Sequence, residues 1–213
     1  MSLAISDIDQ LDWSKGDGLL PAVVQDAGNQ AVLMLGYMNR DALRATLERG
    51  RVVFFSRSRQ KLWEKGETSG HTLELVSAVA DCDNDSLLVL AKPIGPTCHR
   101  NTPTCFGDGS LPDAEGLGFL SQLENVIAAR IAQNPEGSYT AKLYGQGVKR
   151  MAQKVGEEGV EVALAAQTGN DAELVSESAD LLFHLALLLR ARNLSLATVA
   201  TELAARHRTR TSA

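Results

Sequence analysis

From Leu19 to about Phe106 the apolar residues come in short runs broken by turn residues: PAVVQD, AVLMLGYM, RVVFFS, TLELVSAVAD and SLLVLAKP. Runs of this length, bounded by Gly, Pro, Asn and Asp, predict strands. One helix interrupts them. Asn39 caps RDALRATLERG, whose Leu43 and Leu47 lie four apart and whose Gly50 suits a C-terminal stop. After FGDGSLPDAEG the pattern changes to long helical segments, predicted at Leu117 to Gln133, Thr140 to Gln167, Asp171 to Arg192 and Ser195 to Arg206. NPEGS and TGN are the turns between them, and Asp171 and Ser195 are the expected N-caps. The chain therefore reads as two domains. Residues 1–110 form an α+β, mostly β domain, 111–118 a linker, and 119–213 an all-α helical bundle.

Composition narrows the function. With 213 residues and 44% hydrophobic content the chain buries a proper core. Its net charge of -5 argues against a nucleic-acid partner bound over a broad basic surface. The N-terminus MSLAISDIDQLDW has acidic residues where a signal peptide carries basic ones, and no apolar run reaches membrane-spanning length, so a soluble, cytoplasmic protein is expected. Three cysteines, an odd number, make a disulfide framework a poor reading. Metal ligation or simple burial remain.

The stretch VADCDNDSLLVL places Asp81, Asp83 and Asp85 on alternate positions, with Cys82 between the first two. If the strand continues that far, the three carboxylates share one face and Cys82 takes the other. Like charges so placed call for a cation. An EF-hand loop needs Gly at its sixth position and Glu at its twelfth, where this chain has Ser86 and Lys92, so that reading fails. Hard oxygen ligands few in number fit Mg²⁺, which keeps several waters. Cys98 and Cys105 lie in the loop GPTCHRNTPTCFG, sixteen and twenty-three residues beyond Cys82. Three thiolates suit Zn²⁺. His99, adjacent to Cys98, is a poor fourth ligand, which leaves an open position of the catalytic kind. Burial of the cysteines as small hydrophobes is the competing reading.

SRSRQKLWEKGETSGHTLEL, DCDND and CHRNTPTCF together closely resemble phosphoribosyl-AMP cyclohydrolase of histidine biosynthesis, over most of Leu19 to Phe106. The resemblance implies zinc on Cys82, Cys98 and Cys105, with Cys82 supplied across a homodimer interface, and magnesium on Asp81, Asp83 and Asp85. It also implies hydrolytic opening of an adenine ring made electron-poor at C6 by a ribose on N1. Zinc lowers the pKa of bound water to about 7, which such an attack needs. His99 is the first candidate proton carrier and His71 the second. Arg57, Arg59, Lys61 and Lys65 form a basic loop suited to the substrate's phosphates, and Trp63 either stacks on the purine or packs. A solvated charge run is the plainer reading of those cations.

In KVGEEGVEVALAA, Glu157, Glu158 and Glu161 project from adjoining rows of one helix, and ESADLLFHLALLLR places Glu177 and Asp180 three apart on the next. Facing helices that both project carboxylates inward make an oxygen-rich divalent-metal site. An E-E-x-x-E motif alone is more often a solvated face; its pairing with E-x-x-D is more specific. SYTAKLYGQGVKRMAQKVGEEGVEVALAA resembles phosphoribosyl-ATP pyrophosphohydrolase, over roughly Leu117 to Arg206. By that resemblance Glu157, Glu158, Glu161, Glu177 and Asp180 hold Mg²⁺, with Glu158 the catalytic carboxylate, and a water attacks the anhydride. Lys142, Lys149, Arg150 and Lys154 offer charge for the triphosphate.

The whole chain thus resembles a fused bifunctional enzyme whose C-terminal domain removes pyrophosphate from phosphoribosyl-ATP and whose N-terminal domain opens the ring of the phosphoribosyl-AMP produced. Two rivals are weighed. One is a structural-zinc module joined to a helical dimerisation domain. The other is a general pyrophosphohydrolase of nucleoside triphosphates.

Overall fold

The computed structural model describes residues 2–107 and 116–211, with side chains described up to residue 209. It divides into two compact units, Met1–Pro112 and Asp113–Ala213. Of the linker expected at 111–118, residues 111–115 lie outside the described residues. Among the described residues no helix is long and apolar enough to cross a membrane.

The first unit opens with a 3-10 turn, Ile5–Gln10, followed by β1 (Leu20–Asp26), β2 (Val32–Met38), α1 (Arg40–Arg49), β3 (Val53–Ser56), β4 (Lys61–Glu64), β5 (Leu73–Ala80) and β6 (Leu87–Pro93). The strands make a four-stranded sheet in the order β2-β1-β6-β5 and a separate β3–β4 hairpin. β1 runs antiparallel to β2 and parallel to β6, which is antiparallel to β5. The five expected strands are present, and a sixth, β4, lies inside the stretch read as a basic loop. Arg57 to Gln60 turn there and Lys65 begins a second turn, while Lys61 to Glu64 pair with β3. Period-2 burial explains the sheet's inner face: Leu20, Ala22 and Val24 alternate inward, as do Leu87, Val89 and Ala91. They pack with Met38, Leu43 and Phe54. On the other face, register aligns Leu35, Val23, Leu88 and Val79 in one apolar row across all four strands. Leu35 is 48% exposed and Leu88 37%. Asn39 caps α1 by accepting from the Ala42 amide, and Gly50 ends it with φ 65°, as the sequence pattern predicts.

The second unit comprises α2 (Gly118–Gln133), α3 (Tyr139–Gly145), α4 (Val148–Thr168), α5 (Asp171–Ala191) and α6 (Leu196–Thr211). The helix expected from Thr140 to Gln167 is two helices. Gly147, at φ 85° and ψ 172°, breaks it in a conformation that a side chain would oppose. The N-cap of α5 is Asn170 rather than Asp171: its side chain accepts from the Ala172 and Glu173 amides. Ser195 does cap α6, its Oγ accepting from the Thr198 amide at 3.1 Å. Ile127, Leu143, Met151, Ala186 and Leu187 form the buried core, and α4 lies along α5.

Candidate functional site

In the first unit a cavity of about 420 Å³ is lined by Arg59, Trp63, Lys65, His71, Cys98, His99 and Cys105 among others. The loop carrying both cysteines is tied down by its backbone: Cys98 N–H donates to the Thr102 carbonyl and Cys105 N–H to the Leu33 carbonyl of β2, at 3.1 and 2.8 Å. Cys98 Sγ lies 3.9 Å from His99 Nδ1. The Arg100 amide holds the Cys98 thiol below its ordinary pKa, whereas burial pushes Cys105 up. Lys65 is buried and donates to the His71 carbonyl at 3.2 Å. Burial lowers its pKa, with the nearby Cys105 and Cys98 sulfurs opposing the shift. Gly95, at φ 79°, leaves room for the His71 ring, since a Cβ there would come within 2.7 Å of it. Trp63 stacks on Phe54 with ring centroids 5.7 Å apart. Arg57 lies over the Tyr37 ring at 3.9 Å and Lys61 is exposed on β4; neither lines the cavity. Thr97, 2% exposed, carries a hydroxyl with no hydrogen-bond partner among the described residues.

The aspartates do not alternate along a strand. β5 stops at Ala80, and Asp81 to Asp85 form a turn in which Asn84 has φ 59°. The opposite-face argument for Cys82 therefore falls, because strand alternation ends before it. The turn still gathers one oxygen from each of Asp81, Asp83 and Asp85 within 4.8 Å of the others. Asp81 accepts from the Ser86 hydroxyl at 2.5 Å and from the Asp85 and Ser86 amides at 3.0 and 3.1 Å. With the Ser86 hydroxyl as first cause, its pKa is held down to about 2. Lys15 Nζ sits 2.6 Å from Asp83 and 3.1 Å from Asp85, which raises its own pKa. A backbone bond from Asp12 N–H to the Asn84 carbonyl, 2.8 Å, brings the Lys15 loop to this turn. Cys82 is exposed, 3.8 Å from Asp83 Oδ1. Among the described residues it is not gathered with Cys98 and Cys105.

In the second unit Glu158 and Glu161 of α4 meet Glu177 of α5, again within 4.8 Å. Glu158 is 4% exposed and its Oε1 lies 2.6 Å from Lys154 Nζ. That ammonium lowers the Glu158 pKa, and Glu158 in turn raises that of Glu161. Glu157 faces Lys154, Gln153 and Arg150 at 3.0, 2.9 and 3.4 Å. The exposed Asp180 stands outside the gathered set, as does Glu157. Lys142 and Lys149 are exposed, while Lys154 is committed to the glutamates. His184, 4% exposed, joins the cluster: Nδ1 is 2.8 Å from the Asp180 carbonyl and 3.5 Å from Glu158 Oε1, and Nε2 is 2.9 Å from the Tyr139 hydroxyl. Sequence reasoning passed over His184, although a lone histidine inside the apolar run DLLFHLALLL signals a buried polar group that must find partners. Lys15 has one local partner, Asp12 at 3.9 Å, but its shorter contacts are to residues 68 and 70 positions away.

Residues 34–107 match the phosphoribosyl-AMP cyclohydrolase family, and residues 120–207 match the phosphoribosyl-ATP pyrophosphohydrolase family. The chain is 57% identical to the histidine biosynthesis bifunctional protein HisIE of Salmonella typhimurium over 198 residues, covering 93% of this chain and 96% of that one. It is 58% identical to HisIE of Escherichia coli over the same shares. It is 56% identical to that of Photobacterium profundum over 95% of this chain and 99% of the relative. The chain belongs to the HisIE family. A HisIE chain is a bifunctional hydrolase of histidine biosynthesis, and the two family matches correspond to its two hydrolytic steps. The gathered aspartates and both cavity cysteines fall in the first matched range, and the gathered glutamates in the second. Each acidic group could hold a metal ion. Lys15 lies before the first range.

Proposed function

We propose that the helical unit hydrolyses phosphoribosyl-ATP to phosphoribosyl-AMP and pyrophosphate, and that the β-rich unit then opens the N1–C6 bond of the adenine ring. The observation that carries this is the presence, in each compact unit, of its own gathered donor set inside its own family-matched range. The boundary we propose runs from residues 1–110 through a linker at 111–118 to 119–213. A cytoplasmic location fits a biosynthetic hydrolase without a membrane-spanning helix among its described residues.

Two thiols in one cavity fit a soft cation, and we assign zinc to Cys98 and Cys105 with Cys82 of a second copy. Two observations support the shared site: Cys82 is exposed and stands apart from Cys98 and Cys105 within one chain, and the outer sheet face carries the unpartnered Leu35–Val23–Leu88–Val79 row that a homodimer would cover. Zinc, when bound, supplies a Lewis acid and water of lowered pKa. His99, beside Cys98, is placed to move a proton at the ring, and His71 is the second candidate. Arg59, Trp63 and Lys65, which line the cavity, would bind and orient the nucleotide. Arg57 and Lys61 stand outside it and are left out of this reading.

Magnesium fits the all-oxygen sets. In the helical unit Glu158, Glu161 and Glu177 would hold it, with Glu157 and Asp180 close enough in sequence to join after a rotamer change. Released from the glutamates, Lys154 would face the phosphates; Lys149 and Arg150 are on the same helix. One observation favours a second reading of the aspartate turn. With Lys15, Ser86 and two amides supplying partners, Asp81, Asp83 and Asp85 are satisfied without a metal.

The test is to incubate the purified chain with phosphoribosyl-ATP and follow pyrophosphate and the ring-opened chromophore separately. Both should appear, pyrophosphate first. Turnover of common nucleoside triphosphates as fast as phosphoribosyl-ATP would favour a general pyrophosphohydrolase instead.

A further inference from the structure

We infer that Tyr139 and His184 are a positioning pair for the pyrophosphohydrolase site, setting the orientation of the Glu158 carboxylate. The inference rests on the reading of Glu158 as a metal-holding carboxylate. His184 is buried within an apolar run of α5, where a leucine would pack without needing a polar partner. Its ring nitrogens are nevertheless both engaged. The Asp180 carbonyl can only accept, so Nδ1, 2.8 Å away, carries a proton. Glu158 Oε1 lies 3.5 Å from the same nitrogen, an electrostatic contact beyond the N–H bond to Asp180. Nε2 meets the Tyr139 hydroxyl at 2.9 Å, and the Phe183 ring packs edge-on against the imidazole at 5.1 Å. Ring tilt is thus fixed from two sides.

Three helices converge here. Tyr139 is the first residue of α3, held by the Ser138 cap; His184 and Asp180 belong to α5, and Glu158 to α4. The contacts from Lys154 and His184 both fall on Oε1 of Glu158. They come from different helices, so together they limit rotation of the carboxylate about its last bond. Lys154 alone, a flexible ammonium on the same helix as Glu158, would move with it. The imidazole supplies the reference from α5, which also carries Glu177, the third member of the gathered set. Outer-sphere partners of this kind act through the ligand they orient.

The experiment uses the full chain, with ring opening of supplied phosphoribosyl-AMP as an internal control of the other unit. Tyr139→Phe keeps the ring against Phe183 and His184 and removes only the hydroxyl. Expected are a fall of about tenfold in kcat for pyrophosphate release with KM for phosphoribosyl-ATP within about twofold, and Mn²⁺ binding to the helical site weakened about tenfold by calorimetry. His184→Asn, which retains a donor near the Nδ1 position, should keep more activity and Mn²⁺ affinity than His184→Leu. In the His184→Asn background Tyr139→Phe should add nothing, because the hydroxyl has lost its partner. Independent losses in the two variants, or wild-type kcat and Mn²⁺ affinity in Tyr139→Phe, overturn the inference. Glu158→Gln separates it from the reading beneath. If that variant keeps pyrophosphate release and Mn²⁺ binding, the reading of Glu158 itself falls. If it loses both while Tyr139→Phe loses neither, only the positioning pair is wrong.

Discussion

The aspartate turn of the first unit and the glutamate cluster of the second solve the same electrostatic problem by different routes. Each brings one oxygen from three carboxylates within 4.8 Å, and each sets a lysine ammonium 2.6 Å from one of them. In the helical unit the lysine is local: Lys154 precedes Glu158 by one turn, and the spacing of an i, i+4 pair brings them together. In the β-rich unit it is distant: Lys15 arrives on a separate loop, positioned by the Asp12–Asn84 backbone bond. Burial differs as well. Glu158 is nearly inaccessible, so its charge must be matched inside the protein, whereas Asp81 and Asp83 face solvent and are cheap to leave ionised. The lesson is that a tight acidic cluster does not by itself say what neutralises it. The second unit's glutamates need a cation more than the first unit's aspartates do.

The largest effects should come from breaking one unit while sparing the other. Cys98→Ser should abolish ring opening and leave pyrophosphate release intact. Glu158→Gln, which keeps shape but removes a buried charge, should lower pyrophosphate release by on the order of 10²-fold while supplied phosphoribosyl-AMP is still opened. Parallel assays of both steps on each variant decide it. Joint loss in either, with circular dichroism unchanged, would show that the two sites are not independent.

A second test asks whether the zinc site proposed for the first unit is divided between copies. Cys82→Ser and Cys98→Ser chains, each inactive in ring opening, should complement when mixed. Random pairing makes half the dimers mixed, each with one intact site, so roughly a quarter of wild-type activity is expected. Cys98→Ser mixed with Cys105→Ser should recover nothing. No rescue in the first mixture, once subunit exchange is demonstrated, places all three ligands in one chain.

How far the sequence could be read follows the same contrast between local and distant. The strands of the sheet, the capped helix after Asn39 and the glutamate rows of α4 rest on periodicities and caps a few residues long, and all of these appear. The hairpin strand β4 was hidden because Lys61 and Glu64 flank only two apolar residues, too short a run for alternation to register. The break at Gly147 was legible in the pair Gly145 and Gly147, but it was lost among the further glycines, Gly156 and Gly159, that α4 does tolerate. Alternation was extended too far at Asp81, where side-chain bonds from Ser86 favour a turn over a longer strand. Tyr139 and His184 lie 45 residues apart, and Lys15 and Asp83 lie 68 apart. No pattern along the chain pairs them.

A smaller effect is expected from Lys15. If Mg²⁺ binds at the aspartate turn it must displace this ammonium, because both cannot occupy a space bounded by the same oxygens. Lys15→Met should then tighten Mg²⁺ binding at the turn by about two- to fivefold, a modest gain because the lysine and aspartates are substantially exposed. Calorimetry in a Glu158→Gln background would isolate the turn from the helical site. Equal affinity in both proteins would mean that Lys15 does not compete. No binding in either would make the turn a salt-bridge node.

The smallest expected effect separates the clusters by pH. Asp81 is held at about 2, below its ordinary 3.8, chiefly by the Ser86 hydroxyl, while Glu161 is pushed the other way by Glu158. A depressed carboxylate stabilises the fold while it is ionised in both states. Its contribution is therefore present above 3.8 and lost as pH falls toward about 2. Ser86→Ala removes the hydroxyl donor and leaves the two amides. In metal-free protein, the Asp81 carboxyl resonance followed by NMR should titrate higher in Ser86→Ala than in wild type. The difference in thermal midpoint between the two proteins should shrink from pH 6 to pH 2. Because Asp81 is exposed, solvent screening keeps that difference small. An Asp81 that already titrates near 3.8 in the wild type would mean that the turn is open in solution. In that case Asp83 and Asp85 would lose the geometry that brings them to Lys15.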